Sequence, residues 1–358
     1  MPSTELPLIY DLTLEDLTAW ARAHEEPAYR ARQIWEGLYR HLWDKPEDFS
    51  PIPARLRQAL AASFSFRPLE PVTTLVSTDG ETHKTLFRLA DGVQVETVRM
   101  RYMRRRTLCI STQAGCAMGC AFCATGQMGL QRNLSAGEIV AQVLYYARWL
   151  RQQGERVTNI VFMGMGEPFH NYEATMQAID TLNHPQGMAL GARRMTISTV
   201  GLVPQIRRFT QERRQVNLAI SLHAADDDLR SALIPVNRRW PLAALMEAVR
   251  EYTAVTHRRV TFEWALIRDR NDTVEQAQRL AGLLREMLAH VNLIPLNPTA
   301  GFAGRATSKR RAHAFCDVIR REGIPCTVRL RRGVDIQAGC GQLASRSPET
   351  LSFVLKSD

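Results

Sequence analysis

The chain has 358 residues, 45% hydrophobic and 23% charged, the balance of a globular protein with room for more than one domain. No apolar run reaches the roughly 18–20 residues of a membrane span, and the acidic start MPSTELPLIYDLTLEDL has no signal-peptide character, so a cytoplasmic protein with no membrane partner is expected. The net charge of +10 rests on arginine, since lysine occurs only as Lys45, Lys84, Lys309 and Lys356; it admits a polyanionic partner such as nucleic acid, because cations that neutralise phosphates release counterions.

Residues 1–70 are expected to form a small helical domain. Leu14, Leu17, Trp20 and Ala21, then Ile34, Leu38 and Leu42, recur at helical spacing. Thr13 with Asp16 resembles a helix-start signal, and PARLRQALAASF adds a helix after DKPEDFSPIP. Residues 71–106 alternate instead: ETHKTLFRL and VQVETVRMRYM around an Asp-Gly turn predict a β-hairpin connector. It ends in RMRYMRRR, read as a strip that contacts phosphates. Over 107–335 the β-rich runs TLCIST, TNIVFMG, RMTISTV, VNLAISLH, VTFEWALI, VNLIPL and CTVRLRR alternate with helical stretches. Among these, Ser135 with Glu138 opens one helix as a capping box. Repeated β-α units predict an α/β fold with a parallel sheet, open or closed into a barrel. Ligands of such folds bind at the C-terminal strand ends. Residues 336–358 form a tail.

The loop after TLCIST belongs to that face, and it reads GCAMGCAFC: Cys116, Cys120 and Cys123, spaced C-x₃-C-x₂-C, out of seven cysteines in all. In a reducing compartment clustered thiols bind metal or do chemistry rather than form a disulfide framework. A zinc site wants two ligand pairs, and no second pair exists. A C-x₂-C redox motif leaves Cys116 unexplained, and three structural thiols would not gather beside glycines. What remains is an iron–sulfur cluster on three thiolates. Cubane clusters normally take four cysteines, so a missing ligand leaves one position open, as in catalytic metals. Gly115 and Gly119 let the backbone wrap closely.

This spacing, after the first strand of a β/α barrel, resembles the radical S-adenosylmethionine (SAM) superfamily. The resemblance implies a partial (β/α)6 barrel with a [4Fe–4S] cluster on Cys116, Cys120 and Cys123. Its open iron chelates the amino and carboxylate groups of SAM, and one electron splits SAM into methionine and a 5′-deoxyadenosyl radical. Phe122 would shield the cluster. Glu167 in FMGMGEP would accept from the methionyl ammonium, with the Gly164–Gly166 backbone close by. Ser198, then Ser221, Leu222 and His223 in SLH, and Asn297 in IPLNP supply further SAM contacts at successive strand ends.

Nearly the whole chain resembles the RlmN family of radical SAM RNA methyltransferases, with its relative Cfr, through VETV, TLCISTQAGCAMGCAFCATGQMG, RNLSAGEIV, VFMGMGEP, ISTVG, ISLHA, LIPLNP and DIQAGCGQL. The family implies a helical N-terminal accessory domain that binds RNA, and as substrate an adenosine of 23S rRNA near the peptidyl transferase centre. The adenosine beside the tRNA anticodon is a second substrate, and the product is 2-methyladenosine. In the family-like scheme a first SAM methylates Cys340. A radical from a second SAM takes hydrogen from that methyl, and the resulting methylene radical adds to the electron-poor carbon 2. Cys109 then attacks the Cys340 sulfur and frees the product through a transient disulfide. Glu96 matches the family's proposed proton acceptor. An external donor such as flavodoxin and a monomeric chain go with this scheme. The target base must be flipped from its stack, while arginines of 99–106, 308–311 and 329–333 would hold the RNA backbone. Gly339 stands where alanine is expected, which predicts a looser, mobile Cys340 loop. Cfr-like methylation of carbon 8 shares the motif residues, and a non-enzymatic Fe–S RNA-binding protein is the alternative that needs no SAM pocket.

Overall fold

The computed structural model describes residues 6–329 and 331–344. Helices α1 (Leu14–Ala23), α2 (Tyr29–Glu36) and α3 (Ala54–Ser63) come first. Thr13 closes the N-terminus of α1 with both halves of a capping box: its hydroxyl accepts from the Asp16 N–H at 3.1 Å, and its own N–H donates to Asp16 at 2.9 Å. The apolar side chains of this segment, such as Leu17 and Trp35, belong to the same buried cluster as Ile139 and Val143 further along.

Strands β1 (Leu69–Val76), β2 (Thr82–Leu89), β3 (Gln94–Tyr102) and β4 (Arg105–Cys109) run antiparallel in succession. The excursion after β4 holds β5 (Gln113–Gly115), α4 (Ala124–Gln127) and β6 (Leu130–Asn133), with β5 and β6 paired as a two-stranded ribbon. Then follow α5 (Ala136–Arg151), β7 (Asn159–Phe162), α6 (Tyr172–Asn183), β8 (Met195–Thr199), α7 (Val203–Glu212) and β9 (Asn217–Ser221). The remaining elements are α8 (Asp227–Leu233), α9 (Leu242–Thr256), β10 (Val260–Leu266), α10 (Val274–Leu283), β11 (Ala289–Pro295), α11 (Lys309–Arg321) and β12 (Cys326–Val328). One ten-stranded sheet has the order β1-β2-β3-β4-β7-β8-β9-β10-β11-β12, parallel from β4 onward. The parallel strands are covered on both faces, which is why Ile160, Ile197, Leu218, Phe262 and Trp264 are fully buried. Among the described residues no pairing joins β1 to β12, so this α/β barrel is a partial one, open at its edges.

Two local differences from expectation have clear causes. The hairpin of β2 and β3 is present, and β1 adds a third strand to it. That edge strand contains Pro71, bulges between Pro71 and Thr73, and is largely exposed, so its alternation is weak. The arginine run is also not one free strip. Arg99 is buried beneath the Trp149 ring, 4.6 Å from its centroid, and Arg106 forks onto Glu155. Arg101, Arg104 and Arg105 remain exposed around the β3–β4 turn. Among the described residues no helix is long and apolar enough to cross a membrane.

Candidate active site

Cys116, Cys120 and Cys123 lie in the excursion that the β5–β6 ribbon closes. The Cys116 N–H donates to the Gly129 carbonyl at 2.8 Å, and Gly115 and Gly119 take the left-handed backbone that only glycine adopts freely, with φ of +75° and +63°. All three thiols line a cavity of about 1020 Å³ at the C-terminal ends of the parallel strands, at the upper end of the roughly 300–1,000 Å³ typical of small-molecule sites. Among the described residues no three His, Cys, Asp or Glu side chains gather about a single ion. Ligands of a cubane bond different irons and need not converge. Burial pushes the Cys116 thiol up to about 12 and Cys120 well above the ordinary range. A thiolate in this setting requires a metal cation to hold it. The donor set, the spacing and the room beside it therefore fit a polynuclear centre.

The expected strand-end residues enclose the same cavity. Gly166 and Glu167 line it beyond β7. The Glu167 carboxylate accepts from the backbone N–H of Phe169 at 3.0 Å and of Val200 at 2.9 Å, tying β7 to the end of β8; burial raises it to about 7. Ser198 and Ser221 oppose each other with hydroxyls 3.2 Å apart. His223 accepts from the Ala265 N–H through Nδ1 at 2.8 Å, which leaves the ring proton on Nε2. Burial lowers this imidazole to about 3, so it is neutral. Phe122 packs edge-on against it, 4.9 Å between centroids. Asn297 donates to the Cys340 carbonyl at 3.1 Å, while its Oδ1 is buried with no hydrogen-bond partner among the described residues. Leu222 does not line the cavity; its side chain is fully buried in the core.

Cys109 and Cys340 meet in a second cavity, of about 720 Å³. Cys340 lines both cavities, with Met163, Ile294, Asn297 and Leu343 also common to the two. Cys109 ends β4, between Val98 of β3 and Val161 of β7. Burial pushes it up to about 12, with Cys340 adding to the shift. Cys340 is raised to about 11 by burial and then by Glu263. Its loop is not loose. Ala124 N–H donates to Gly341 O at 2.8 Å, Thr125 Oγ1 to Leu343 O at 2.6 Å, and Gln342 Nε2 to Pro298 O at 3.0 Å. A Cβ on Gly339 would stand 2.6 Å from Asn297 Nδ2 and 2.8 Å from Gln342 Oε1. The glycine thus lets two amides close on the loop, the opposite of the loosening expected.

Glu96 lines neither cavity. It is buried on β3 in an ion pair with Lys84, 3.0 Å from its ammonium, and accepts from the Ala344 N–H at 2.9 Å. Three residues not anticipated complete the site. Glu263 of β10 lines the first cavity, with one oxygen on Asn292 at 3.0 Å. Its other oxygen lacks a hydrogen-bond donor, the Arg329 guanidinium being 3.9 Å away. A lone carboxylate inside the apolar run VTFEWALI was its signal. Buried Arg230 of α8 donates to the carbonyls of Val200 at 2.6 Å and Leu222 at 3.1 Å and to Asn237 at 2.7 Å; it fixes the β8 and β9 ends, and nothing local announces it. Tyr102 lines the second cavity at its arginine-rich mouth, beside Arg331 and Arg332.

Residues 110–281 match the Radical SAM superfamily. The chain is 48% identical, over 389 aligned positions covering 96% of it and 98% of the relative, to a protein of Roseiflexus sp. (strain RS-1) named probable dual-specificity RNA methyltransferase RlmN. It is 50% identical to dual-specificity RNA methyltransferase RlmN 1 of Myxococcus xanthus (strain DK1622), with 96% of each chain covered. The crystal structure of a radical SAM methyltransferase from Sphaerobacter thermophilus superposes with a TM-score of 0.93 at 53% identity, covering 95% of this chain and 100% of that one. The chain therefore belongs to the RlmN family of dual-specificity RNA methyltransferases, radical SAM enzymes that use a [4Fe–4S] cluster and SAM.

Proposed function

We propose that the protein makes 2-methyladenosine in 23S rRNA and in the tRNA anticodon region, with Cys340 as methyl carrier and Cys109 as resolving thiol. One observation carries the reading: Cys340 stands on the wall shared by the cavity of Cys116, Cys120 and Cys123 and the cavity of Cys109. A [4Fe–4S] cluster on those three thiolates, with SAM at its open iron, would supply the one-electron cleavage that yields a hydrogen-abstracting radical. The chain's own groups suit the cofactor. Glu167 and the free Asn297 Oδ1 present acceptors, His223 presents an Nε2–H donor, and Ser198 and Ser221 can do either.

Adenine carbon 2 lies between two ring nitrogens and is too electron-poor to attack an electrophilic methyl, which is why a carrier thiol is needed. Release from Cys340 is a sulfur displacement. As the Cys109 thiolate attacks, the S–S bond forms and the S–CH₂ bond breaks. Its electron pair passes to the methylene carbon, which takes up a proton. The disulfide must then be reduced before the next turnover. An external donor such as flavodoxin and a monomeric chain complete the reading.

RNA access is supported by the mouth of the second cavity. Arg332 lies 4.5 Å over the Tyr102 ring and donates to Arg101 O at 3.2 Å, with Arg105 at 5.5 Å from the same ring. Arginines of 99–106 and 329–333, distant in sequence, thus meet where a flipped base would enter. Arg311 of 308–311 is instead paired with Asp269 and Asp272. The helices of residues 1–70 serve as the RNA-binding accessory unit. The test is Cys109→Ala in cells. An RNA–protein adduct through Cys340 is expected, visible as a slow band that nuclease removes. Absence of the adduct, or 8-methyladenosine without 2-methyladenosine in the RNA made by the wild type, overturns the reading.

A further inference from the structure

We infer that the buried Lys84–Glu96 ion pair is a latch that holds the Cys340 segment against the sheet and so keeps the two reactive thiols in one cavity. The inference rests on the methyl-carrier reading above and makes both side chains positioning residues. Lys84 is on β2 and Glu96 on β3, at diagonal positions of an antiparallel pair, where long side chains reach each other. They are 4% and 1% exposed. Each spends its remaining capacity on the same stretch of chain: Lys84 Nζ donates to the Gln337 carbonyl at 3.3 Å, and Glu96 Oε2 accepts from the Ala344 N–H at 2.9 Å. The two attachments bracket Cys340.

Residues 331–344 contain no helix or strand, so no ladder of backbone hydrogen bonds fixes them. Their place is set by side chains that reach out from regular elements. A buried ion pair is a poor way to add stability, because desolvation of two charges offsets most of their attraction, and an apolar pair of similar volume serves as well or better. What such a pair does supply is a directional demand: each partner needs hydrogen bonds at defined places, and the tail supplies them. Both Glu96 oxygens are engaged and neither cavity reaches the carboxylate, which favours positioning over proton transfer from an RNA base.

The test uses the full chain with its cluster reconstituted. Wild type and variants are equilibrated anaerobically in glutathione redox buffers, and the Cys109–Cys340 disulfide is quantified by peptide mass spectrometry. The equilibrium gives the effective concentration of one thiol at the other. Lys84→Met and Glu96→Gln are each expected to lower it about tenfold or more, and Lys84→Arg to keep it within about threefold of wild type. The paired variant Lys84→Met with Glu96→Leu replaces the ion pair by apolar groups, keeps the fold, and is expected to show the same loss. An effective concentration within about twofold of wild type in both the single and the paired variants overturns the latch. So does loss of 2-methyladenosine in Glu96→Gln alone, with Lys84→Met active and its thiol equilibrium unchanged, which would make Glu96 a proton-transfer residue. The methyl-carrier reading fails separately: wild-type protein would then carry no S-methyl group on Cys340, while the thiol equilibrium still reports on the latch.

Discussion

Alanine at Gly115 should cripple the loop that carries the three clustered cysteines. The residue sits at φ +75°, and an added Cβ would stand 1.9 Å from the Gly129 carbonyl oxygen, 3.0 Å from its carbon and 3.3 Å from Gln131 N. All three are backbone atoms at the start of β6, so no rotamer change relieves the clash, and β5 and β6 must part. That breaks the Cys116 N–H···O bond to Gly129 and the Gly115–Leu130 pairing. Left-handed backbone costs alanine about 1–2 kcal/mol, and a buried amide left without its acceptor costs about 1–3 kcal/mol. The sum, roughly 2–5 kcal/mol, corresponds at about 2 °C per kcal/mol to a fall of some 4–10 °C in Tm. Gly129→Ala is the matched control, because φ there is +73° and nothing lies within 4 Å of an added Cβ; it should show the backbone cost alone. Thermal unfolding by circular dichroism, together with iron and sulfide content after anaerobic reconstitution, reads both effects. A Gly115→Ala protein that melts with Gly129→Ala and takes up a full complement of iron would refute the steric reasoning.

Glu167 should make stability depend on pH. Burial raises its carboxyl from 4.5 to about 7, so the folded state favours the protonated form. The associated stability is complete below the unfolded pKa and is lost as pH rises through about 7, a difference of roughly 3 kcal/mol. In urea unfolding of the cluster-free chain at pH 5 and pH 8, Glu167→Gln should remove that part of the decline, and parallel behaviour of the two proteins would exclude it. Arg230→Met leaves the buried carbonyls of Val200 and Leu222 without donors and should cost about 3–5 kcal/mol in the same assay. Lysine should not rescue it, since one ammonium cannot span the fork; full stability of Arg230→Lys would contradict this. Gly339→Ala should push the Asn297 amide off the Cys340 carbonyl, costing about 1 kcal/mol and speeding alkylation of Cys340 by iodoacetamide. An unchanged alkylation rate would mean that the loop accommodates the methyl group.

What could be read from residue order was what local chemistry determines. The seven parallel strands are apolar runs between turn signals, and Thr13 and Ser135 announce their helices because a capping box lies within four residues. The cysteine motif is equally local. The ribbon of β5 and β6 escaped notice because three or four residues are too few for a periodicity. Leu222 illustrates a rule available but unused: along a strand successive side chains face opposite ways, so Ser221 and His223 can share a cavity only if Leu222 turns to the core. Glu96 and Lys84 mark the real limit. Their partners Ala344 and Gln337 lie about 250 residues away in sequence, and nothing in either neighbourhood encodes the meeting.

The position of Cys340 follows from how the sheet fails to close. β12 is one edge and β1 the other, and no strand joins them among the described residues. Residues 331–344 cross that opening. Arg332 reaches the β3–β4 turn, Asp335 accepts from Thr78 N–H at 2.8 Å, and Gln337 and Ala344 meet the Lys84–Glu96 pair. On the other side Gln342 reaches Pro298, and Gly341 and Leu343 meet α4 and the residue before it is Cys123. A strand in the gap would be fixed along its length by ladder bonds. Its side chains would alternate, and one thiol could not face two chambers. An irregular segment held at both flanks by side chains has neither restriction. It can present Cys340 to the cluster cysteines on one side and to Cys109 on the other, which is what a carrier that is loaded in one chamber and unloaded in the next requires.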